Sequence, residues 1–354
     1  MFKVFKKSNP SALIGIDFGS SAIKAIALSK IKGNFQIDAV AEIAVEKGVI
    51  VDHRFEDMGK LTEIIKRLHK NFPASHQNVA IAVSGADVIT KVIPMNTDLN
   101  DLALEYQVEI EAENSIPFPL DEIFLDFEII GSNANNPDFK DVLVSAARKD
   151  TVLSQVSCIE KAGLQVQIVD IASHALARAF NLLFSSEDFD KGIAVVDIGA
   201  SEMTLNILHQ GQVIFSRTKN HGGAVCTQMI ADRYGLKLAE AEKIKVERDW
   251  PLDCNIDVLA PFITMTVNHL RFDLRMFTNA PKNIDVVKIM LTGGCQLLPG
   301  LADQIQEQLD FETEIVNPFL GFEYKNPSDK KFLHQFPTKY MMALGLALRG
   351  QANV

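Results

Sequence analysis

The 354 residues are 47% hydrophobic, with 35 Lys and Arg against 45 Asp and Glu and a formal net charge of −10. At about 150 residues per domain, that length allows two domains or more with a sizeable core, and the acidic balance disfavours a surface built to track nucleic-acid phosphates. The four cysteines, Cys158, Cys226, Cys254 and Cys295, form no C-x-x-C pair, so they offer no zinc or thioredoxin-like arrangement and read as reduced core thiols.

In chain order, the start MFKVFKK is too short for a signal-peptide apolar region. Its Phe2, Val4 and Phe5, interleaved with Lys3, Lys6 and Lys7, read either as a patch able to touch an anionic membrane surface or as a frayed terminus. IGIDFGSSAIKAIALSK, from Ile14, predicts two strands joined by a glycine turn, with a third strand over residues 35–42. Residues 96–163 read as helix (101–114), strand (123–130), the loop GSNANNPDFKD, strand (142–147) and helix (150–162). AVVDIGASEMTLNILHQ, from Ala194, repeats the hairpin pattern, with its third strand over 212–218. Helices follow near 225–234 and around Glu242, then a long amphipathic stretch over 256–277. KIMLTGGCQLLPGL is a short apolar strand, a glycine pair and a turn into a helix. The longest apolar window, MMALGLAL, falls far below the roughly 18 residues a spanning helix needs.

The repeat carries the chemistry. Asp-x-Gly-x-Ser occurs at Asp17 and again at Asp197, 180 positions on. Turns with Gly19 and Gly199 let backbone N–H groups approach closely, and Ser20, Ser21 and Ser201 add hydroxyls, which makes a phosphate cradle. Lys24 can reach back as a point charge, and one carboxylate from each hairpin can hold a hydrated Mg²⁺. Either hairpin alone is equally an ordinary Asp-Gly turn; the duplication argues for Mg-nucleotide between two halves. Gly293 and Gly294 allow a base or ribose to lie flat on the backbone, although loops use glycine pairs freely. Glu242 and Lys245 share one helical face, which is either a ligand-facing pair or a solvated one.

The order of these motifs resembles the actin and sugar-kinase ATPase superfold: an α/β, ribonuclease H-like, duplicated two-domain fold. LIGIDFGSSAIKAIALS, EAENSIPFPLDEIFLDFEII, VSAARKDTV and EKAGLQVQIVDIASHALARAF narrow the likeness to the PilM family of type IV pilus assembly proteins, over residues 13–349. The nucleotide motifs belong to the whole superfamily; the IPFP segment and its acidic strand are the specific part. The resemblance implies an FtsA-type inserted α+β subdomain and the following organisation: a first core over 11–95, the insertion over 96–165, and a linking helix within 166–190. A second core then covers 191–222 and 281–340, a helical outer subdomain 223–280, and a second linking helix, with Gly345, 341–354. It places Asp17, Gly19, Ser20, Ser21 and Lys24 at the first phosphate motif and Asp197, Gly199, Ala200 and Ser201 at the second. Glu242 and Lys245 meet ribose and adenine, and Gly293, Gly294, Cys295 and Gln296 form the adenosine loop. ATP or ADP with Mg²⁺, the latter held through water by Asp17 and Asp197, is the implied cofactor. The implied partner is the cytosolic N-terminal tail of a PilN-like inner-membrane protein, in a groove to be sought over residues 79–127, with the IPFP run as a groove wall or as subdomain core. Other pilus platform and motor proteins are further candidates. The expected location is the cytoplasm, held at the bacterial inner membrane through the partner, in pilus biogenesis and twitching motility.

Active members of the superfold orient the attacking water with a Glu or Gln on the first linking helix. Here that helix reads VDIASHALARAF, with Asp170 as its only acid and Ile171, Ala172 and Ser173 where the Glu is expected. Losing such a group costs about 10² to 10⁴-fold in rate, so slow or absent turnover is expected. His174 reads as a packed or surface residue, and Trp250 as packing within a turn. Two other functions share the fold: a small-molecule kinase, for which the insertion offers no recognisable substrate pocket, and an FtsA-like membrane tether. The tether class ends in a basic amphipathic helix after a linker, whereas this chain ends in ALRGQANV just after its last expected core helix.

Overall fold

The structure is a computed structural model, and it describes residues 13–133, 136–279 and 284–351. The basic–apolar pattern over residues 2–7 lies outside the described residues.

The first half opens as a meander of β1 (Leu13–Phe18), β2 (Ala22–Ile31) and β3 (Asn34–Ala44), antiparallel, with Asp17 opposite Lys24. Ile14, Ile16, Ile23, Ala25 and Ala27 are buried on one face of this meander and Ile26, Leu28 and Ile37 on the other, as a sheet covered on two sides requires. A two-residue ribbon, β4 (Ile50–Val51) and β5 (Arg54–Phe55), leads into α1 (Met58–His69). The Asp57 side chain caps α1 by accepting from the Lys60 N–H at 2.9 Å, and Leu61, Ile64, Ile65 and Leu68 form its buried stripe. β6 (Asn78–Val83) returns parallel to β1.

β7 (Val88–Asn96), α2 (Asp101–Ser115), β8 (Ile123–Ser132) and β9 (Phe139–Arg148) then build a separate antiparallel sheet of order β7-β9-β8, and Leu104, Val108 and Ala112 of α2 share one core with it. The boundary expected at residue 95/96 therefore falls at the wrong end of β7, which leaves the first core at Val88 and pairs along its whole length with β9. Its Pro94, lacking a donor, is tolerated because β7 is an edge strand. α3 (Lys149–Lys161) was also expected in the insertion. Instead Val152, Val156, Cys158 and Ile159 bury it against Leu61 and Ile65 in the first core.

β10 (Gln165–Ile171) pairs parallel with β6, so the VDI of the expected linking helix is strand, as its β-branched residues favour, and α4 (Ala172–Phe180) begins only after it. The second half repeats the meander with β11 (Gly192–Ile198), β12 (Met203–His209) and β13 (Gln212–Lys219). α5 (Gly223–Tyr234), α6 (Leu238–Glu247) and α7 (Ala260–Thr278) follow, then β14 (Val286–Gly293), α8 (Leu301–Leu309) and β15 (Glu312–Ile315). Their sheet has the order β13-β12-β11-β14-β15. The expected extent of the second core, to residue 340, is corrected by β16 (Glu323–Tyr324), which crosses back to pair with β3, closing the first sheet as β10-β6-β1-β2-β3-β16. α9 (Pro327–Gln335) and α10 (Met341–Ala347) complete the chain. All four cysteines are buried and reduced, and Trp250 packs against the second core.

α4 and α10 lie between the two sheets, where Ile26, Leu28 and Ile37 of one half and Ile193, Val195 and Met290 of the other share a core with Leu176, Phe180, Met341 and Leu344. The helices meet at backbone distance: a Cβ on Gly345 would stand 1.8 Å from the Ala175 carbonyl oxygen, and one on Gly15 2.2 Å from that of Ala343. Arg178 ties the crossing, donating to the Gly345 carbonyl at 3.0 Å and to Asp170 at 2.9 Å. Gly345→Val is expected to lower stability by about 3 kcal/mol or more, since backbone cannot yield as a side chain can. The shift of the urea midpoint measures it.

Candidate functional site

Between the halves lies a cavity of about 970 Å³. The two hairpin turns face each other across it and are built alike: the Gly19 N–H donates to the Ala22 carbonyl at 3.1 Å, and the Gly199 N–H to that of Glu202 at 2.8 Å. The Ser20 hydroxyl donates to the Ser201 hydroxyl at 3.0 Å, joining the two loops directly. Asp17, Gly19, Ser20, Ser21, Lys24, Asp197, Gly199, Ala200 and Ser201 all line the cavity.

The charges are unevenly matched. Lys24 Nζ donates to Asp17 at 3.0 Å; burial lowers the ammonium pKa, but Asp17 and neighbouring acids outweigh it and hold Lys24 above the usual lysine range. Asp197 occupies the Asp17 position of the second hairpin, but its cross-strand neighbour is Thr204 rather than a lysine. Burial, reinforced by the negative charge of Asp17 and opposed by Lys24, pushes Asp197 up to about 6.

The far end of the cavity is set by α5, α6 and the turn after β14. Lys245 Nζ donates to the Gly223 carbonyl at 2.9 Å, the Thr227 hydroxyl at 2.7 Å and Glu242 at 2.7 Å, so Glu242 and Lys245 form one cluster on the wall. Gly293 has φ +91° and lies so close to the second loop that a Cβ would be 2.4 Å from the Ile198 carbonyl oxygen. Gly294 and Cys295 also line the cavity, and the Cys295 thiol donates to the Gly199 carbonyl at 3.2 Å. Gln296 does not belong with them. It is 1% exposed and bonds backward to the Gly293 carbonyl and the Thr338 hydroxyl, so it braces the glycine turn from behind.

Sequence reasoning missed several wall residues. His53, on the β4–β5 turn, bridges the halves: Nε2 lies 2.7 Å from Glu202 Oε2, and Nδ1 2.8 Å from Ser84 Oγ. Burial lowers its pKa, but Glu202 more than compensates and raises it above the ordinary histidine value. Gln155 of α3 is 3% exposed and lines the cavity, with no hydrogen-bond partner for its amide oxygen among the described residues. Arg248, past the end of α6, lines the cavity and donates to the Leu297 carbonyl at 2.7 Å. Asp170 is engaged by Arg178 and the Ile171 N–H, which leaves Ser173 as the polar side chain that the start of α4 gives to the wall.

The family described as type IV pilus assembly protein PilM matches residues 15–351. The chain belongs to the PilM family. Among solved structures, a PilM-PilN type IV pilus biogenesis complex is 26% identical, with a TM-score of 0.82 over 96% of this chain and 98% of that one. The cell division protein FtsA of Enterococcus faecalis is 22% identical over 86% of this chain and 78% of its own. MreB 5 of Spiroplasma citri bound to AMPPNP, at 12% identity and a TM-score of 0.51, covers 96% of this chain and 95% of that one and shares the fold. The fold is thus the actin-like one expected from the PilM resemblance. Among the described residues, no helix is long and apolar enough to cross a membrane.

Because Asp197 gains its proton more readily folded than unfolded, its contribution to stability is greatest at low pH and is lost as pH rises through about 6. In protein free of nucleotide and divalent metal, Asp197→Asn is expected to raise stability at pH 8 by up to about 3 kcal/mol, and the gain should vanish below pH ~4. Thermal melts of both proteins across that range measure it.

Proposed function

We propose that the chain is a nucleotide-loaded scaffold of the type IV pilus inner-membrane assembly platform, binding ATP or ADP with Mg²⁺ between its halves and gripping the cytosolic tail of a PilN-like membrane protein. The observation that carries this reading is the pair of like-built glycine turns facing each other across one cavity, in a chain of the PilM family. The two turns closed at Gly19 and Gly199, with the hydroxyls of Ser20, Ser21 and Ser201 beside them, suit phosphate oxygens, and Lys24 supplies positive charge next to them. Glu242 and Lys245 suit a ribose and base edge, while the bare backbone at Gly293 and Gly294 suits the flat face of a base. Asp17 and Asp197 oppose each other closely enough for one to raise the pKa of the other, which fits a hydrated Mg²⁺. That ion would neutralise phosphate charge.

Turnover is expected to be slow or absent, because the start of α4 gives the wall a serine and no Glu or Gln. The partner tail is expected between the first core and the inserted sheet, in the region 79–127, and the edge strand β8, which begins at Ile123, supports that reading. An extended peptide can add to such an edge. This partner would hold the protein at the cytoplasmic face of the inner membrane, in support of pilus biogenesis and twitching motility.

Calorimetric titration with Mg-ATP is expected to give saturable one-to-one binding that is strongly weakened in Gly294→Val, a cavity-wall position where a Cβ meets nothing within 4 Å and folding is undisturbed. Titration with a peptide of the cognate membrane partner's cytosolic tail should also saturate at one to one. Absence of either binding by folded protein overturns that part of the reading. Phosphate release at the rate of an active actin-like ATPase, lost in Asp197→Ala, overturns the expectation of slow turnover.

A further inference from the structure

Between the cavity and the inserted sheet lies a four-residue turn, 84–87, joining β6 to β7. Its first residue touches the nucleotide side. Ser84 bonds His53, and His53 bonds Glu202, whose carbonyl closes the second glycine turn. Gly85, at φ +79°, lies beneath the imidazole, where a Cβ would stand 2.8 Å from His53 Cδ2. The last residue touches the inserted sheet. Asp87 accepts from the Thr151 hydroxyl at 2.8 Å and lies 3.7 Å from Arg54 and 4.0 Å from Arg148. Arg148 ends β9, grips Asp150 at 2.8 Å and reaches 3.7 Å to Glu122, the residue before β8.

Asp87 and Arg148 stand at the two points where the chain passes into and out of the inserted sheet, 4.0 Å apart, with Arg148 held more closely by Asp150. Thr151 adds a second strut: one turn further along α3 is Gln155, in the cavity wall. At the other end, Asp52 and His53 both sit in the left-handed region, at φ +47° and +63°, a conformation that non-glycine residues keep only where surrounding contacts hold it. Glu202, Asp52 and Asp17 all favour the protonated form of His53, and Glu202 is bonded to it across the halves at 2.7 Å.

We propose that the turn 84–87 couples the second glycine loop to the inserted sheet, so that a nucleotide which moves the Glu202 loop shifts the β8 edge through His53, Ser84, Asp87 and Arg148. The coupling rests on the reading that the cavity binds nucleotide. By linkage it is reciprocal: whatever occupies the β8 edge changes nucleotide affinity by the same factor that nucleotide changes its own.

Amide hydrogen exchange of the full chain, with and without saturating Mg-ADP or a non-hydrolysable Mg-ATP analogue, tests the coupling on residues 123–132. The variants are Asp87→Asn and Thr151→Val, neither of which lines the cavity. Calorimetry confirms that each still binds nucleotide as the wild type does. In the wild type, nucleotide should change exchange of this strand by at least about fivefold. In Asp87→Asn most of that change should be lost, with a partial loss in Thr151→Val. A wild type that binds nucleotide without any change over 123–132, or an Asp87→Asn protein with the full change, overturns the coupling alone. A folded wild type that binds no nucleotide overturns both the coupling and the reading beneath it.

Discussion

Everything in this molecule hangs on the close crossing of α4 and α10. With no side chain at Gly345 to separate them, the helices touch through backbone, and Gly15 lets α10 sit as closely on β1. The two sheets are thereby held at a distance fixed by main chain rather than by packable side chains. The cavity is what remains between the halves beyond that crossing. Asp170 is drawn into the same junction by Arg178, so the one acid beside the start of α4 is used for architecture.

The repeated hairpins are alike in backbone and unlike in charge. In the first, Lys24 stands opposite Asp17 and satisfies it; in the second, Thr204 occupies the equivalent position and Asp197 faces the cavity without that cation. One copy thus arrives internally neutralised, and the other carries a carboxylate that burial and the charge of Asp17 push up to about 6. A duplicated fold has in this way produced an asymmetric site. The His53–Glu202 bridge adds a second asymmetry, since it ties the second loop to the first half through a carboxylate where the first hairpin has Ala22.

The repeat was legible because it combines short apolar runs, an Asp-Gly turn and period-two alternation, all of which are local. The helices at α2, α3 and α5 were legible for the same reason, within a few residues at each end. Which sheet a strand joins was not. β7 and β16 look like any short strand, and only long-range pairing sends one to the insertion and the other back to the first half. Gln296 followed the glycine pair in sequence but turned inward, because the left-handed Gly293 reverses the chain and Thr338 waits behind it. His53 gave no signal: two successive left-handed residues and a partner 149 positions away leave no mark in composition or spacing. The Ser-Gly after the apolar run NVAIAV was the one local hint of a further loop at the wall.

The return of β16 and α10 to the first half bears on how the chain is made. Residues 13–44 supply the first three strands of their sheet, yet one edge of it and the helix seated on Gly15 come from residues 323–347. At about 5–20 residues per second, a ribosome needs some 15 to 60 seconds to bridge that gap. During that time the apolar surface of β1 and β2 that α10 covers lacks its cover, so the first sheet is completed only after residues 323–347 have been made.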